Sequence, residues 1–258
     1  MREATVGPGG ARMRWMELSG GEPARVYLHG LGAMSAPYFL PVATHPALAG
    51  HRSLFVDLLG HGLSDRPPDF GYTLEEHAAT LATALDSAWV RAADVVAHSM
   101  GGAVAIVLAH RRPDLVGRLV LVEANLEPSP APKVGGSGIN AYTEAEFLAG
   151  GFAETLDRVG PLWAATMRLA DPVGLHRSAV HLVAATRPTM RHMLVRLPIP
   201  RTYVQGEQGS PVRDPDGLTA AGVRVVTVRA AGHNVMLDNP EEFARVTATG
   251  LTGRARPG

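Results

Sequence analysis

Short apolar runs recur along the chain with helical patterns between them, and this alternation leaves few folds open. ARVYLHG (24–30), SLFVDLLG (53–60), ADVVAHS (93–99), GRLVLVEA (117–124), RTYVQGE (201–207) and VRVVTVRA (223–230) are branched, short and bounded by Gly, Pro or polar residues. Runs of this kind, apolar on both faces, read as strands buried in a parallel sheet. RMRWMEL (12–18) alternates and reads as an edge strand. The stretches 1–11 and 252–258 are rich in Gly, Pro and Arg and read as frayed ends.

The helices fall between the strands. TLEEHAATLATALDSAW opens with Thr73 and Glu76 at capping-box spacing, and Leu74, Ala78, Leu81 and Leu85 share one face. MGGAVAIVLAHRRP is apolar almost all round, so that helix should be buried; Pro113 ends it. NPEEFARVTATGL carries Pro240 at a helix start and two glutamates in the first turn, where the dipole favours them. The expected fold is α/β, a mostly parallel central sheet with helices on both faces.

The alternation breaks once. From Asn125 to about Leu197 no strand pattern occurs. A flexible, turn-rich lead-in, EPSPAPKVGGSG (127–138), is followed by helical patterns near 143–158, 161–170, 173–186 and 188–196. The expected organisation is one core, 1–124 with 198–258, interrupted by a helical cap or lid at 125–197.

Composition narrows the chemistry. The formal net charge is zero, which favours neither nucleic acid nor an anionic membrane as partner. There is no Cys, so thiolate nucleophiles, disulfides and Cys-based metal sites are excluded. The first residues hold no apolar run like a signal-peptide core, and no stretch approaches the roughly 18 apolar residues of a membrane span. The expectation is a cytoplasmic protein without a membrane span.

One corner stands out. A strand ends, Ala97-His98-Ser99-Met100-Gly101 turns, and a helix begins. The pattern small-x-Ser-x-small fits a sharp, strained turn that lifts a serine hydroxyl above the sheet edge, over a helix N-terminus that favours developing negative charge. Small residues are expected at 97 and 101 because the strand and helix backbones nearly touch there.

This corner resembles the nucleophile elbow of the α/β-hydrolase fold family. HGLG (29–32) resembles that family's oxyanion-hole loop, DLLGHGLSDRP (57–67) its Asp-x-x-Gly-x-Gly-x-Ser segment, and AGHNVMLDNPEEF (231–243) its histidine loop. The four motifs stand in the family's order. The resemblance implies Ser99 as nucleophile and His233 as base. It implies the backbone N–H groups of Leu31 and Met100 as the oxyanion hole. It makes Asp57 and Asp65 structural, and gives no proton-transfer role to His29, His61 or His98.

The acid departs from the usual pattern. Most of the family carries it after the strand that follows the cap, in a segment like Gly-Glu-x-Asp. Here that segment is Gly206-Glu207-Gln208-Gly209, with glycine at the expected aspartate. A minority carries the acid after the strand that precedes the cap, and Glu123 stands there. Glu123 is the preferred assignment; Glu207, Asp214 and Asp216 are the alternatives.

A serine at the elbow argues against the aspartate-dependent dehalogenases and epoxide hydrolases of the same fold. The expected activity is serine hydrolysis of a small-to-medium, fairly apolar ester, thioester or lactone through an acyl-enzyme. The partner is thus a small acyl substrate. No cofactor is expected, and no metal, because His176, His181 and His192 lack supporting ligand spacing. The alternatives are a C–C bond hydrolase, a cyclase-like biosynthetic enzyme, or a slow ligand-binding receptor. Phe147, Phe152, Leu156, Trp163, Met167, Leu169, Met190 and Met193 are candidates for an acyl pocket or for the cap's own core.

Overall fold

The computed structural model describes residues 1–129 and 137–252. Most of the predicted turn-rich lead-in and nearly all of the predicted frayed C-terminal end lie outside the described residues.

Eight strands form one sheet: β1 (Arg2–Thr5), β2 (Arg12–Leu18), β3 (Gly21–Leu28), β4 (His51–Asp57), β5 (Ala93–His98), β6 (Val116–Val122), β7 (Arg201–Gly206) and β8 (Val223–Val228). Their spatial order is β1-β2-β4-β3-β5-β6-β7-β8. The first two run antiparallel, and every pair from β4 to β8 is parallel. The C-terminal ends of the parallel strands therefore share one edge, where ligands of such sheets bind.

Both faces are covered, which explains the continuous apolar runs. Val26, Leu28, Val95, Ala97, Leu119 and Leu121 join one core with α2 (Leu74–Ser87) and α3 (Met100–Arg111). The alternate residues Tyr27, Val96, Val120 and Val122 join a second core. There they meet α1 (Ser35–Ala43) and two later helices named below. α3 buries every residue from Met100 to Ala109, as its all-round apolar sequence requires.

Two expectations are corrected at the N-terminus. Residues 2–5 are paired rather than frayed, and β2 is an inner strand rather than the edge. β1 buries only Ala4, so hydropathy gives it no signal. It is held by pairing and by Glu3, which binds both Arg12 and Arg14. A short, charged strand is a common way to close a sheet edge.

Between β6 and β7 the described residues are helical or irregular. α4 (Glu144–Glu146) runs through a π turn at Phe147–Gly151 into α5 (Phe152–Arg158). α6 (Pro161–Met167), α7 (Pro172–Ala184) and α8 (Met190–Leu194) follow. Phe147, Met167, Met190 and Met193 are buried in the same core as α2 and α3, whereas Leu169 is half exposed. Thr73 and Glu76 form the predicted capping box on α2. After β7 come α9 (Pro215–Ala220), α10 (Val235–Asp238) and α11 (Pro240–Thr252); the last two join α1 in the second core.

Candidate active site

Ser99 joins β5 to α3 with φ 50° and ψ −117°, a backbone region that costs a non-glycine residue about 1–3 kcal/mol. Its N–H donates to the Val122 carbonyl at 2.8 Å, which ties the corner to β6. The residue is 9% exposed. Glycine at 101 is demanded by a neighbour other than the one the motif suggests. A Cβ there would lie 2.4 Å from the His29 carbonyl oxygen and 2.9 Å from that of Leu28. The pressure comes from the end of β3, not from β5.

The HGLG loop lies against the corner. A Cβ on Gly30 would stand 3.1 Å from Ser99 Cβ and 2.9 Å from His98 Nδ1. His29 fixes the loop. Its Nδ1 faces the Gly30 carbonyl at 2.7 Å, and its Nε2 accepts the Leu58 N–H at 3.0 Å. A carbonyl can only accept, so the proton sits on Nδ1 and the ring is neutral. Complete burial lowers its pKa to about 4, which agrees. Holding the Gly30 oxygen turns the Leu31 N–H of the same trans peptide the other way.

The next two carbonyls are held from α6. Trp163 Nε1–H donates to Leu31 O at 2.8 Å, and Thr166 Oγ1–H to Gly32 O at 3.1 Å. Gly32 has φ +66°, and a Cβ there would meet Met167 Cε at 2.8 Å. Among the described residues, the N–H groups of Leu31 and Met100 have no protein acceptor. Met100 is the first residue of α3, where a free N–H is normal and the dipole is positive.

His233 follows β8 and stands half exposed, its Nδ1 3.6 Å from Glu123 Oε2. That is longer than a closed hydrogen bond; catalytic pairs often tighten only around substrate. The histidine loop is tied down twice. His98 Nε2–H donates to the His233 carbonyl at 3.0 Å, and Asp238 accepts the Gly232 N–H at 2.9 Å. His98 is held neutral by burial, reinforced by the His233 ring.

Glu123 follows β6 with φ 49° and is almost covered. Its Oε1 accepts the Gly206 N–H at 2.7 Å, so the side chain spans from the end of β6 to the end of β7. The competing carboxylates are engaged elsewhere. Glu207 accepts the Ala230 N–H, Asp214 caps α9 through the Gly217 N–H, and Asp216 lies in the first turn of that helix. Asp57 accepts the N–H groups of Ser35 and Leu63, and Asp65 holds Arg12 and Arg14. His61 is fully buried, with Nδ1–H toward Leu59 O.

Four contacts escaped the sequence. Ser99 Oγ–H donates to Asn125 Oδ1 at 3.4 Å. Trp163 and Thr166 grip the HGLG loop. Tyr203 donates to Ala124 O at 3.0 Å beside Glu123, and burial pushes its phenol up. His176 donates to Tyr142 O, Arg177 pairs with Glu144 and Arg191 with Glu127, so these residues between β6 and β7 serve local structure. No helix among the described residues is long and apolar enough to cross a membrane.

A family model described as the alpha/beta hydrolase fold matches residues 24–169. An sn-1-specific diacylglycerol lipase of Mus musculus is 37% identical over 123 residues, 48% of this chain and 38% of that protein. An esterase of Mycobacterium tuberculosis is 38% identical over 111 residues, 43% of this chain and 35% of that protein. The matches thus span little more than a third of these relatives. Among solved structures, an enol-lactonase from Burkholderia xenovorans LB400 superposes with a TM-score of 0.79 at 20% identity, covering 98% of this chain and 100% of that one.

Proposed function

The chain belongs to the alpha/beta hydrolase fold family, and on that premise we propose that it is a serine hydrolase. Its substrate is a small-to-medium, fairly apolar ester, thioester or lactone, cleaved through an acyl-enzyme on Ser99. The observation that carries this reading is the strained Ser99 corner with His233 and Glu123 on neighbouring loops of one sheet edge.

The chemistry follows from the placement. His233 accepts the Ser99 proton as Oγ attacks the acyl carbon. Glu123 orients the ring through the Nδ1–H and favours the imidazolium while it lasts. The N–H groups of Leu31 and Met100 meet the developing oxyanion, where removal of one such donor typically costs about 10²–10³ in rate. His233 then returns the proton to the leaving group. A water repeats the sequence and frees the acid. The helices between β6 and β7 act as the cap, and Trp163 and Met167 of α6 roof the HGLG loop.

Turnover of p-nitrophenyl esters from acetate to decanoate tests the reading. The wild type should hydrolyse the shorter members, and Ser99→Ala should not. Equal rates for the two proteins would end the proposal.

A further inference from the structure

We propose that Asn125 is a substrate-contacting residue, whose carboxamide donates to the leaving-group oxygen of an oxygen ester. This rests on the serine-hydrolase reading and adds a specificity to it.

The nucleophile has one side-chain hydrogen bond among the described residues, and it goes to Asn125 Oδ1 at 3.4 Å rather than to His233. Asn125 Nδ2 makes none among the described residues, and the residue is only partly buried. A polar amide thus stands beside the reacting oxygen with both its donors available.

Its side of the nucleophile is set by topology. The sheet runs β3-β5-β6-β7-β8, all parallel. Ser99 follows β5. The HGLG loop follows β3 on one flank; Asn125 follows β6 on the other, and His233 follows β8 further along that flank. When Oγ is bonded to the acyl carbon, the oxyanion turns to Leu31 and Met100. The leaving oxygen turns to His233, which must protonate it, and Asn125 lies on that side.

A carboxamide suits both stages. The resting hydroxyl donates, and Oδ1 accepts. Once Oγ has surrendered its proton, the oxygens around the acyl carbon only accept. A half-turn of the amide then presents Nδ2–H. Aspartate at 125 would have no donor, and alanine neither end. A thioester gains little from such a donor, because sulfur is a weak acceptor.

Phenyl butyrate and S-phenyl thiobutyrate form the matched pair for the test, assayed with wild type, Asn125→Ala and Asn125→Asp. A neutral hydrogen bond lost at the transition state lowers kcat/KM by about tenfold. Both variants should show that loss on the oxygen ester and less than about threefold on the thioester. Labelling of Ser99 by a fluorophosphonate in each variant reports an intact site. Labelled variants that lose the same factor on both substrates, or on neither, would overturn the assignment. Wild-type protein that is never labelled would instead overturn the serine-hydrolase reading beneath it.

Discussion

The carboxylate of Glu123 stands where a side chain at position 209 would have to go: a Cβ on Gly209 would lie 3.0 Å from Glu123 Oε1. The acid has one place beside His233, and it can be filled from either of two adjacent strand ends, β6 or β7. In the proposed triad β6 fills it, and the position after β7 holds glycine. Glu123→Gln should lower kcat by about 10²–10⁴ with KM little changed, as expected for loss of the group that orients and stabilises an imidazolium. In the double variant Glu123→Ala, Gly209→Asp, the aspartate should restore at least about tenfold over Glu123→Ala. A Glu123→Gln enzyme with wild-type kcat would exclude this acid.

The corner stores strain that the proposed nucleophile needs and stability does not. Ser99 holds φ 50° and ψ −117°, which glycine adopts without Cβ conflict. Ser99→Gly should abolish turnover and stabilise the fold by about 1 kcal/mol, after the extra flexibility of an unfolded glycine is deducted. For a chain of this length that is a rise in Tm of roughly 2–4 °C. A lower Tm in Ser99→Gly would show that the corner is unstrained.

The indole of Trp163 couples α6 to the HGLG loop, the proposed source of an oxyanion donor, through Leu31 O. Trp163→Phe keeps an aromatic ring, smaller than the indole, and removes the donor. It should lower kcat about five- to tenfold on a short acyl ester, the scale of one hydrogen bond of about 1 kcal/mol. An unchanged kcat would leave the contact a packing detail.

Buried imidazoles govern the acid limit of stability. Burial lowers His29 to about 4 and His61 to about 3, and drives His77 and His98 well below the ordinary value. The unfolded chain takes up these protons near pH 6.5 and the native one resists, so stability is full above pH 6.5 and falls as the pH drops. His29 alone accounts for on the order of 3 kcal/mol between pH 6.5 and 4. Asp57 has the opposite sign. Burial raises it to about 6, so its contribution is lost as pH rises from about 4 to 6. Burial raises Asp94 as well, but four histidines outweigh two carboxyls, and the urea midpoint should fall steadily from pH 7 to pH 5. His61→Gln should show a shallower fall. A flat profile in the wild type would contradict the neutral, buried rings.

The sequence carries the fold where burial is two-sided. Val95 to Ala97 and Leu119 to Val122 face two cores in alternation, so they are apolar without interruption and stand out. β1 has one buried residue and leaves no mark. α1 contains Pro37 and Pro41 and breaks the helical pattern it forms. In the site, Ser99 is marked by its small neighbours, and Glu123 by the glycine at 209. Asn125 is not marked, and Trp163 is marked only as a pocket or cap-core candidate, not for its hold on the HGLG loop. Their contacts reach across 26 and 132 residues of chain, to a hydroxyl and a backbone carbonyl, and neither partner constrains residue type locally.

Intact-mass analysis after a fluorophosphonate probe tests the central claim, that Ser99 is an activated nucleophile. The wild type should gain one adduct, mapped by peptide digestion to the segment holding Ser99, and Ser99→Ala should gain none. An unlabelled wild type, or an adduct that persists in Ser99→Ala, would contradict the account.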